Sequence, residues 1–181
     1  MNISVTDLID YTNWEREKFH ELFRREGEQA LKISLGLHGD GRFRQIGDWV
    51  RHIFSAEKRY VDRLSNRPLT DTASVPTDNI EALFEFARQS RKELERLLET
   101  LSETAWNAPL QFKLMNSVVT ASPKKIVTHI LVHEIRHWAQ IATLLRLQGV
   151  RDDFHDLLMS PVMGGGFQRG SEIVSPWLSA E

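Results

Sequence analysis

Four long segments carry apolar residues at the three- and four-residue spacing of amphipathic helices, and this pattern limits the fold more than any other feature. The first segment is expected to begin at Thr6, a suitable helix cap that is followed by the acidic Asp7. The second runs from about residue 42 to residue 64, and the third begins near residues 77–78. Each segment therefore has one apolar side that another element must cover.

The fourth segment has the clearest ends. Ser122 is a typical helix cap, Pro123 suits the first helical position, and Gly149 follows the last turn. Residues 106–121, just before this segment, alternate well enough to predict a short β-hairpin. Four amphipathic helices with few strands predict an all-α protein, a four-helix bundle with long connections.

The remaining regions are less regular. Residues 24–41 contain several glycines and predict either a broken helix or a loop. The tail, residues 150–181, includes a run of three glycines and is expected to be irregular, wrapping either the bundle surface or a partner. Because a chain of 181 residues suits one hydrophobic core, we expect residues 1–181 to form a single domain.

Composition narrows the class of protein. The chain has no cysteine and therefore offers no disulfide, no thiolate ligand and no cysteine nucleophile. A formal net charge of −2 gives no support to nucleic-acid binding, and no apolar run approaches the length of a membrane span. The N-terminus lacks the basic and apolar regions of a signal peptide. We therefore expect a cytoplasmic globular protein that binds neither nucleic acid nor a membrane.

The fourth helix contains three histidines at an even spacing of four, His129, His133 and His137. Side chains at this spacing lie one above the other on a helix, so two of them can hold one divalent ion. Over eight residues the helix rises about 12 Å, so one ion cannot bind all three without distortion. The alternative is that these are histidines at the border of the apolar side that bond only to water or backbone.

A catalytic metal site commonly has three protein ligands and one open position, so a third ligand must come from another segment. The candidates are His20, His38, His52 and His155. His52 lies within the second helix, but by the helical count it points roughly 120° away from the centre of the apolar side. It would therefore face a groove or an end of the bundle, and the residues alone leave the choice open.

The letters from His133 to His137 also spell H-E-x-x-H, a zinc-protease motif. A metzincin would have a glycine and a third histidine where this chain has Gln140 and Thr143, and the next glutamate lies beyond the glycine-rich run. A protease is therefore disfavoured. Three roles remain open to Glu134: orienting a ligand histidine, carrying a proton, or pairing with a buried arginine.

A di-iron centre is a second alternative, because E-x-x-H occurs at residues 17–20 and again at residues 134–137. Glu57, near the centre of the apolar side of the second helix, would fit as a further carboxylate ligand. Glu17, however, falls nearly opposite the apolar side of the first helix, which weighs against this centre. Glu57 would otherwise pair with an arginine or lysine at the edge of the core.

With these residues placed, the sequence resembles the DinB-like family of small metal-binding four-helix bundles over most of its length. Three stretches carry the resemblance: YTNWEREKF with Trp14, HIFSAEKRYVDRL at residues 52–64, and HILVHEIRHWAQIATLLRLQG at residues 129–149. The last helix of the family commonly contains H-R-G-Q, whereas this chain has HWAQ at residues 137–140. The histidine and the glutamine are present, and the Arg-Gly pair is missing.

The resemblance implies that His52, His133 and His137 bind a divalent metal ion in a groove near one end of the bundle. Members of the family bind zinc, nickel or similar ions, so we expect zinc or nickel, with iron and manganese as alternatives. Known activities in the family include transfer to or from low-molecular-weight thiols and a thiol-assisted isomerisation. The resemblance thus predicts a small-molecule substrate, with a low-molecular-weight thiol as a candidate co-substrate.

The resulting hypothesis is a metal-dependent transferase or hydrolase whose ion lowers the pKa of a water molecule or of a substrate thiol. Because the chain has no cysteine, any sulfur nucleophile must arrive with a co-substrate. Glu134 and His129 are the candidate catalytic residues, either orienting the ligands or transferring protons. The competing hypothesis is a non-catalytic metal-binding or dimerisation module, and a homodimer is compatible with both.

Overall fold

The computed structural model describes residues 3–151 and 155–164, and these residues are mainly helical. The predicted all-α bundle with one short hairpin before the last helix is confirmed, and a short helix, α4, is added that the sequence pattern does not indicate. None of the described helices combines the length and the apolar character needed to cross a membrane. The elements are, in order, α1 (Val5–Glu26), two 3₁₀ turns (Ala30–Lys32 and Gly36–Gly39), α2 (Ile46–Leu64), α3 (Ile80–Thr100), α4 (Glu103–Asn107), β1 (Leu110–Leu114), β2 (Ser117–Ala121), α5 (Pro123–Leu147) and a third 3₁₀ turn (Leu157–Met159).

The first and third long helices begin at residues other than those expected, and side-chain caps explain both differences. Ser4, not Thr6, caps α1: its hydroxyl accepts the Asp7 amide at 3.0 Å, and the Asp7 carboxylate accepts the Ser4 amide at 2.7 Å. Asn79 caps α3 by accepting the Ala82 amide at 2.8 Å, so this helix starts slightly later than residues 77–78.

The second helix, α2, begins at Ile46 rather than near residue 42, because the residues just before it are paired with an earlier part of the chain. The Leu35 amide donates to the Arg44 carbonyl at 2.9 Å, and Ser34 and Gln45 form an isolated antiparallel bridge. Residues 24–41 accordingly form a broken helix, with the end of α1 followed by two 3₁₀ turns.

The last helix, α5, has the ends that its sequence predicts. Ser122 accepts the Lys125 amide at 3.3 Å, Pro123 is the first helical residue, and Gly149 has a φ of 79° beyond the last turn. The hairpin of β1 and β2 packs on α5 and on Tyr60 of α2 in a small apolar cluster. This packing fixes the N-terminal half of α5 against α2.

The main core lies among α1, α2, α3 and α5 and is rich in aromatic rings. Trp138 of α5 is fully buried, stacks on Phe19 at a centroid distance of 4.3 Å, and meets the Phe54 ring edge to face at 5.9 Å. At Gly47 the backbone of α2 comes so close to the segment before α3 that an added Cβ would lie 1.8 Å from the Thr77 carbonyl oxygen. These contacts set the position of α2 relative to its neighbours.

The described part of the C-terminal tail lies against α1. The Tyr11 hydroxyl donates to the His155 carbonyl at 2.9 Å, and His155 Nδ1 lies 3.1 Å from a carboxylate oxygen of Glu15. For residues 155–164 this contact agrees with the expectation that the tail wraps the bundle surface. Residues 152–154 and 165–181, to which the same expectation applied, lie outside the described residues.

Candidate metal centre

Three histidine side chains, one from α2 and two from α5, converge in the structure. Nε2 of His133 lies 3.1 Å from Nε2 of His52 and 3.1 Å from Nε2 of His137. One ligand nitrogen from each ring lies within 4.8 Å of the others, and this is the one group of three or more potential metal ligands found in residues 3–151 and 155–164. The cluster thus joins the two α5 histidines predicted from their spacing to the α2 histidine implied by the family resemblance.

The spacing of these nitrogens suits a shared cation better than a hydrogen-bond chain. A neutral imidazole Nε2 offers either one hydrogen or one lone pair, so the two 3.1 Å contacts at His133 cannot both be good hydrogen bonds. Imidazole nitrogens bind zinc at about 2.0–2.1 Å, which places two tetrahedral ligand nitrogens about 3.3 Å apart. The two separations at His133 differ from this by only about 0.2 Å, and all three ligand atoms lie within 4.8 Å of one another. The donor set therefore fits a divalent ion.

The protonation state of the cluster also suits metal binding. Burial, together with the neighbouring histidines and arginines, lowers the pKa of His52 to about 4 and the pKa of His133 to about 3. Burial likewise lowers the pKa of His137. Since a metal ligand must be a neutral imidazole, the surroundings hold these rings in the binding form at pH 7.

The cluster is bordered by aromatic rings but is not sealed. The Phe43 ring lies 4.8 Å from the His52 ring, and the Trp49 ring lies 5.8 Å from the His137 ring, measured between centroids. His52 and His133 are half-buried, whereas His137 is buried. An ion held by these three side chains would therefore be accessible to a small molecule, and no carboxylate of the described residues completes its coordination.

His129, predicted as a candidate catalytic residue, lies beside the cluster and is not part of it. It is exposed, and its ring centroid is 5.6 Å from that of His133 and 5.5 Å from that of Tyr60. This separation matches the expectation that a straight helix cannot direct all three of its histidines at one ion. Its catalytic role stays a prediction.

Glu134, the other candidate catalytic residue, lies in a buried network of charges. Its carboxylate receives Arg16 Nε at 2.5 Å and Arg16 Nη2 at 2.8 Å, and it also receives Arg91 Nη2 at 2.9 Å. The Trp138 indole N–H donates to it at 3.1 Å. Of the three roles left open by the sequence, pairing with buried arginine is the one that the structure shows. Within the described residues Glu134 makes no hydrogen bond to a histidine.

Glu57 completes this network. Its carboxylate accepts Arg16 Nη2 and Arg91 Nε, each at 2.9 Å, so two arginines and two glutamates neutralise one another. All four side chains are buried. Burial alone would lower the pKa of Arg16, but Glu134 and Glu57 outweigh this effect and raise it. The network joins α1, α2, α3 and α5, the four helices that form the bundle.

Sequence reasoning singled out both glutamates of this network and missed both arginines. A signal was present: Arg16 lies between Thr12 and Phe19, at the four- and three-residue spacing of the buried side of α1. Arg91 lies at the same spacing between Ala87 and Leu94 on α3. An arginine in line with buried residues on each side is a sign of an internal ion pair.

The remaining histidines do not join the cluster, and the di-iron arrangement is not formed. His20 is buried, stacks on Phe84 at 4.3 Å, and lies 3.3 Å from Glu81. His38 is exposed in the second 3₁₀ turn, and His155 contacts α1 as described above. The Glu57 carboxylate, a ligand in the di-iron hypothesis, is engaged by arginines instead of by a metal-binding cluster.

The helical bundle and its three converging histidines define a class of protein that can hold a divalent ion between helices. The family model described as "DinB family" matches residues 1–163, and the chain therefore belongs to the DinB family. Comparison with curated proteins and with solved structures gave no match.

Proposed function

We propose that this protein is a metal-dependent enzyme of the DinB family in which His52, His133 and His137 hold one divalent ion. The observation that carries the proposal is the convergence of three ring nitrogens within 4.8 Å of one another, with no fourth ligand from the described residues. A structural zinc site is normally closed by four protein ligands, whereas a catalytic site keeps a position open. The incomplete ligand set therefore favours an enzyme.

Zinc and nickel are the proposed ions, with iron and manganese as alternatives, because neutral imidazole binds several divalent metals. When bound, the ion would supply a Lewis acid that lowers the pKa of a water molecule or of a thiol. The chain's own part is to present three neutral imidazoles in a fixed arrangement. Burial keeps them unprotonated, and the Phe43 and Trp49 rings limit the directions from which they can be reached.

The proposed reaction is thiol-dependent transfer or hydrolysis of a small molecule. The thiol must be a co-substrate, because the chain contains no cysteine. Glu134 is proposed as a positioning residue: its ion pairs with Arg16 and Arg91 hold the turn of α5 that carries the two ligand histidines. His129 is proposed as a proton carrier, since partial desolvation lowers its pKa and its ring lies one turn from His133.

The first test is metal analysis of the purified protein and of single alanine variants at the three ligands. We expect about one ion per chain in the wild type and a large loss in His52→Ala, His133→Ala and His137→Ala. His38→Ala, which removes an exposed histidine outside the cluster, is the matched control and should keep its metal. Full metal content in all three ligand variants would overturn the proposed site.

The second test asks whether the bound ion has exchangeable positions. The visible spectrum of the cobalt(II)-substituted protein is expected to change when a low-molecular-weight thiol is added. A spectrum that stays constant, combined with a large loss of thermal stability on chelation, would favour the non-catalytic metal-binding module instead. Screening thiols together with electrophiles against the metal-loaded protein then tests for turnover.

A further inference from the structure

A cleft of about 450 Å³ opens beside the metal centre, along α2. His52, Ser55 and Arg59 line it from the helix, and residues 69–73 line it from the segment that follows α2. The three helical side chains are spaced by three and four residues, so they lie on one face. His52 thus belongs both to the metal centre and to the wall of this cleft.

Arg59 is half-buried, and its charge has no partner in the part of the chain that the structure describes. Its side chain makes no hydrogen bond, ion pair or ring contact with any residue that the structure describes. Burial, and then repulsion from Arg63, lower its pKa, so the protein around it disfavours its charge. A buried charge is costly unless an opposite charge or hydrogen-bond acceptors compensate it. An arginine left in this state at a cleft wall indicates that an anion from outside the chain completes its environment.

Ser55 points to the same ligand by an independent observation. It is only 3% exposed, and its hydroxyl has no hydrogen-bond partner among the described residues. A buried hydroxyl normally forms at least one hydrogen bond, and Ser55 lies on the cleft wall between His52 and Arg59. Its O–H therefore lacks an acceptor in the described part of the protein, and a ligand oxygen that enters beside it would supply one.

The other charged groups of the cleft are already engaged. Asp48 caps α2 by accepting the Gln45 amide, and Arg51 donates to the carbonyl oxygens of Ala73 and Val75 at 3.2 Å each. Asp71, which is exposed at the rim, accepts the Ala73 amide at 2.9 Å. Neither acid lies within ion-pair distance of Arg59. The charge of Arg59 is thus the one in this cleft that has no partner among the described residues.

The wider surroundings of the metal centre are also cationic. Besides Arg59, two further arginines adjoin it: Arg42 lies over the Phe43 ring, which packs on the His52 ring, and Arg136 directly precedes His137 in α5. Of these three only Arg42 has a nearby carboxylate in the described residues, that of Asp40 at 3.5 Å. Arginines beside a site for a divalent cation weaken its hold on that cation. They are best explained by a second, negatively charged ligand that binds with the metal.

We propose that the cleft binds the carboxylate of the substrate, with the Arg59 guanidinium as its ion-pair partner and the Ser55 hydroxyl as a hydrogen-bond donor. This inference rests on the proposed function, because the purpose of the cleft is to place the reacting end of the substrate at the three histidines. Arg59 begins about 10 Å along α2 from His52, and its side chain slopes back toward the helix N-terminus. That reach suits a small carboxylic acid that carries its reacting group a few bonds from the carboxylate.

The test measures the binding of two matched probes, 3-mercaptopropionate and its neutral amide, to the full chain by NMR or calorimetric titration. Each titration is done with the metal-free and with the zinc-loaded protein. We expect the carboxylate to bind more tightly than the amide in both forms. Arg59→Gln should weaken carboxylate binding at least about tenfold, because a charge-assisted hydrogen bond is lost, and should leave amide binding and zinc content unchanged.

Arg96→Gln is the matched control, since Arg96 is an exposed arginine of α3 and lies outside the cleft. It should bind both probes as the wild type does, and Arg59→Lys should retain part of the carboxylate preference. Equal binding of the carboxylate by Arg59→Gln and wild type would overturn the inference. Arg59-dependent binding of inorganic phosphate that matches or exceeds carboxylate binding would also overturn it.

The metal-free titration separates this inference from the proposed function. Arg59-dependent carboxylate binding in a protein that takes up no zinc would support the cleft and refute the metal enzyme. Normal zinc binding with no carboxylate preference in either form would refute the cleft and leave the metal centre standing.

Discussion

Replacing Glu134 with glutamine distinguishes the structural role of this residue from a purely catalytic one. The wild-type network pairs two arginines with two glutamates, so its four side chains carry no net charge. Glu134→Gln keeps the volume of the side chain and removes one negative charge. Arg16 and Arg91 must then share Glu57, and the new amide group directs N–H donors at guanidinium donors.

We expect this substitution to lower the free energy of unfolding by about 3–5 kcal/mol, the usual cost of breaking a buried ion pair. The four side chains are 1–7% exposed, so solvent screening does not reduce this figure much. For a protein whose total stability is about 5–15 kcal/mol, such a loss is large. Urea unfolding followed by tryptophan fluorescence measures it directly, because Trp138 is buried beside the network.

Two further variants give the prediction its controls. Glu85→Gln removes an exposed carboxylate that pairs with Arg88 within one turn of α3, and it should change stability very little. Combining Arg16→Met with Glu134→Gln restores neutrality, so the double variant should be more stable than the sum of the single effects predicts, by about 2 kcal/mol. A Glu134→Gln protein with wild-type stability would refute the reasoning and return Glu134 to a catalytic role.

Three other predictions follow from individual contacts. Metal occupancy, measured by equilibrium titration, should be similar at pH 7 and pH 5, because burial lowers the pKa of His52 to about 4 and that of His133 to about 3, so both stay neutral. Glu15→Gln should raise the melting temperature at pH 8.5 and hardly change it at pH 4. The corresponding gain in the free energy of unfolding at pH 8.5 is about 3 kcal/mol at most. Burial raises the pKa of Glu15 to about 7, so its contribution to stability is present below about pH 4.5 and is lost as the pH rises through 7. Gly47→Ala should destabilise the fold by at least about 2 kcal/mol in urea unfolding, because its Cβ would lie 1.8 Å from the Thr77 carbonyl oxygen.

Each of these three predictions would be contradicted by a different measurement. Loss of metal between pH 7 and pH 6 would indicate histidines of ordinary pKa. A Glu15→Gln melting temperature that differs equally from wild type at both pH values would mean that ionisation of this carboxyl does not limit stability. A Gly47→Ala protein of unchanged stability would show that α2 does not lie so close to the segment before α3.

The helical elements could be predicted from the sequence because their signals are local. Apolar spacing and the caps of α5 involve residues within one or two turns of each other, and these set the number of long helices and the ends of the last one. The start of α2 could not be predicted in this way. It depends on the bridge between Ser34 and Gln45, and that pairing becomes visible only when the intervening turn is folded.

The candidate site likewise contains residues that local sequence signals predict and one that only tertiary packing adds. The sequence alone placed His133 and His137 on one side of a helix, because a spacing of four residues brings side chains together whatever surrounds the helix. It could not establish that His52 joins them, and the helical count even directed His52 away from the core; the family resemblance supplied that residue. Tertiary structure decided the matter, because the packing of α2 against α5 brings together rings that are 81 positions apart.

Tertiary structure also decided the surroundings of these residues. Whether Glu134 meets a metal, a proton or an arginine depends on which side chains α1 and α3 direct inward, and Arg16 and Arg91 reach it only in the assembled bundle. The same holds for Arg59: that it meets no carboxylate of the described residues follows from the folded cleft and not from its neighbours in sequence. Periodicity determines which face of a helix is apolar, whereas the relative placement of helices determines which polar groups on their edges meet.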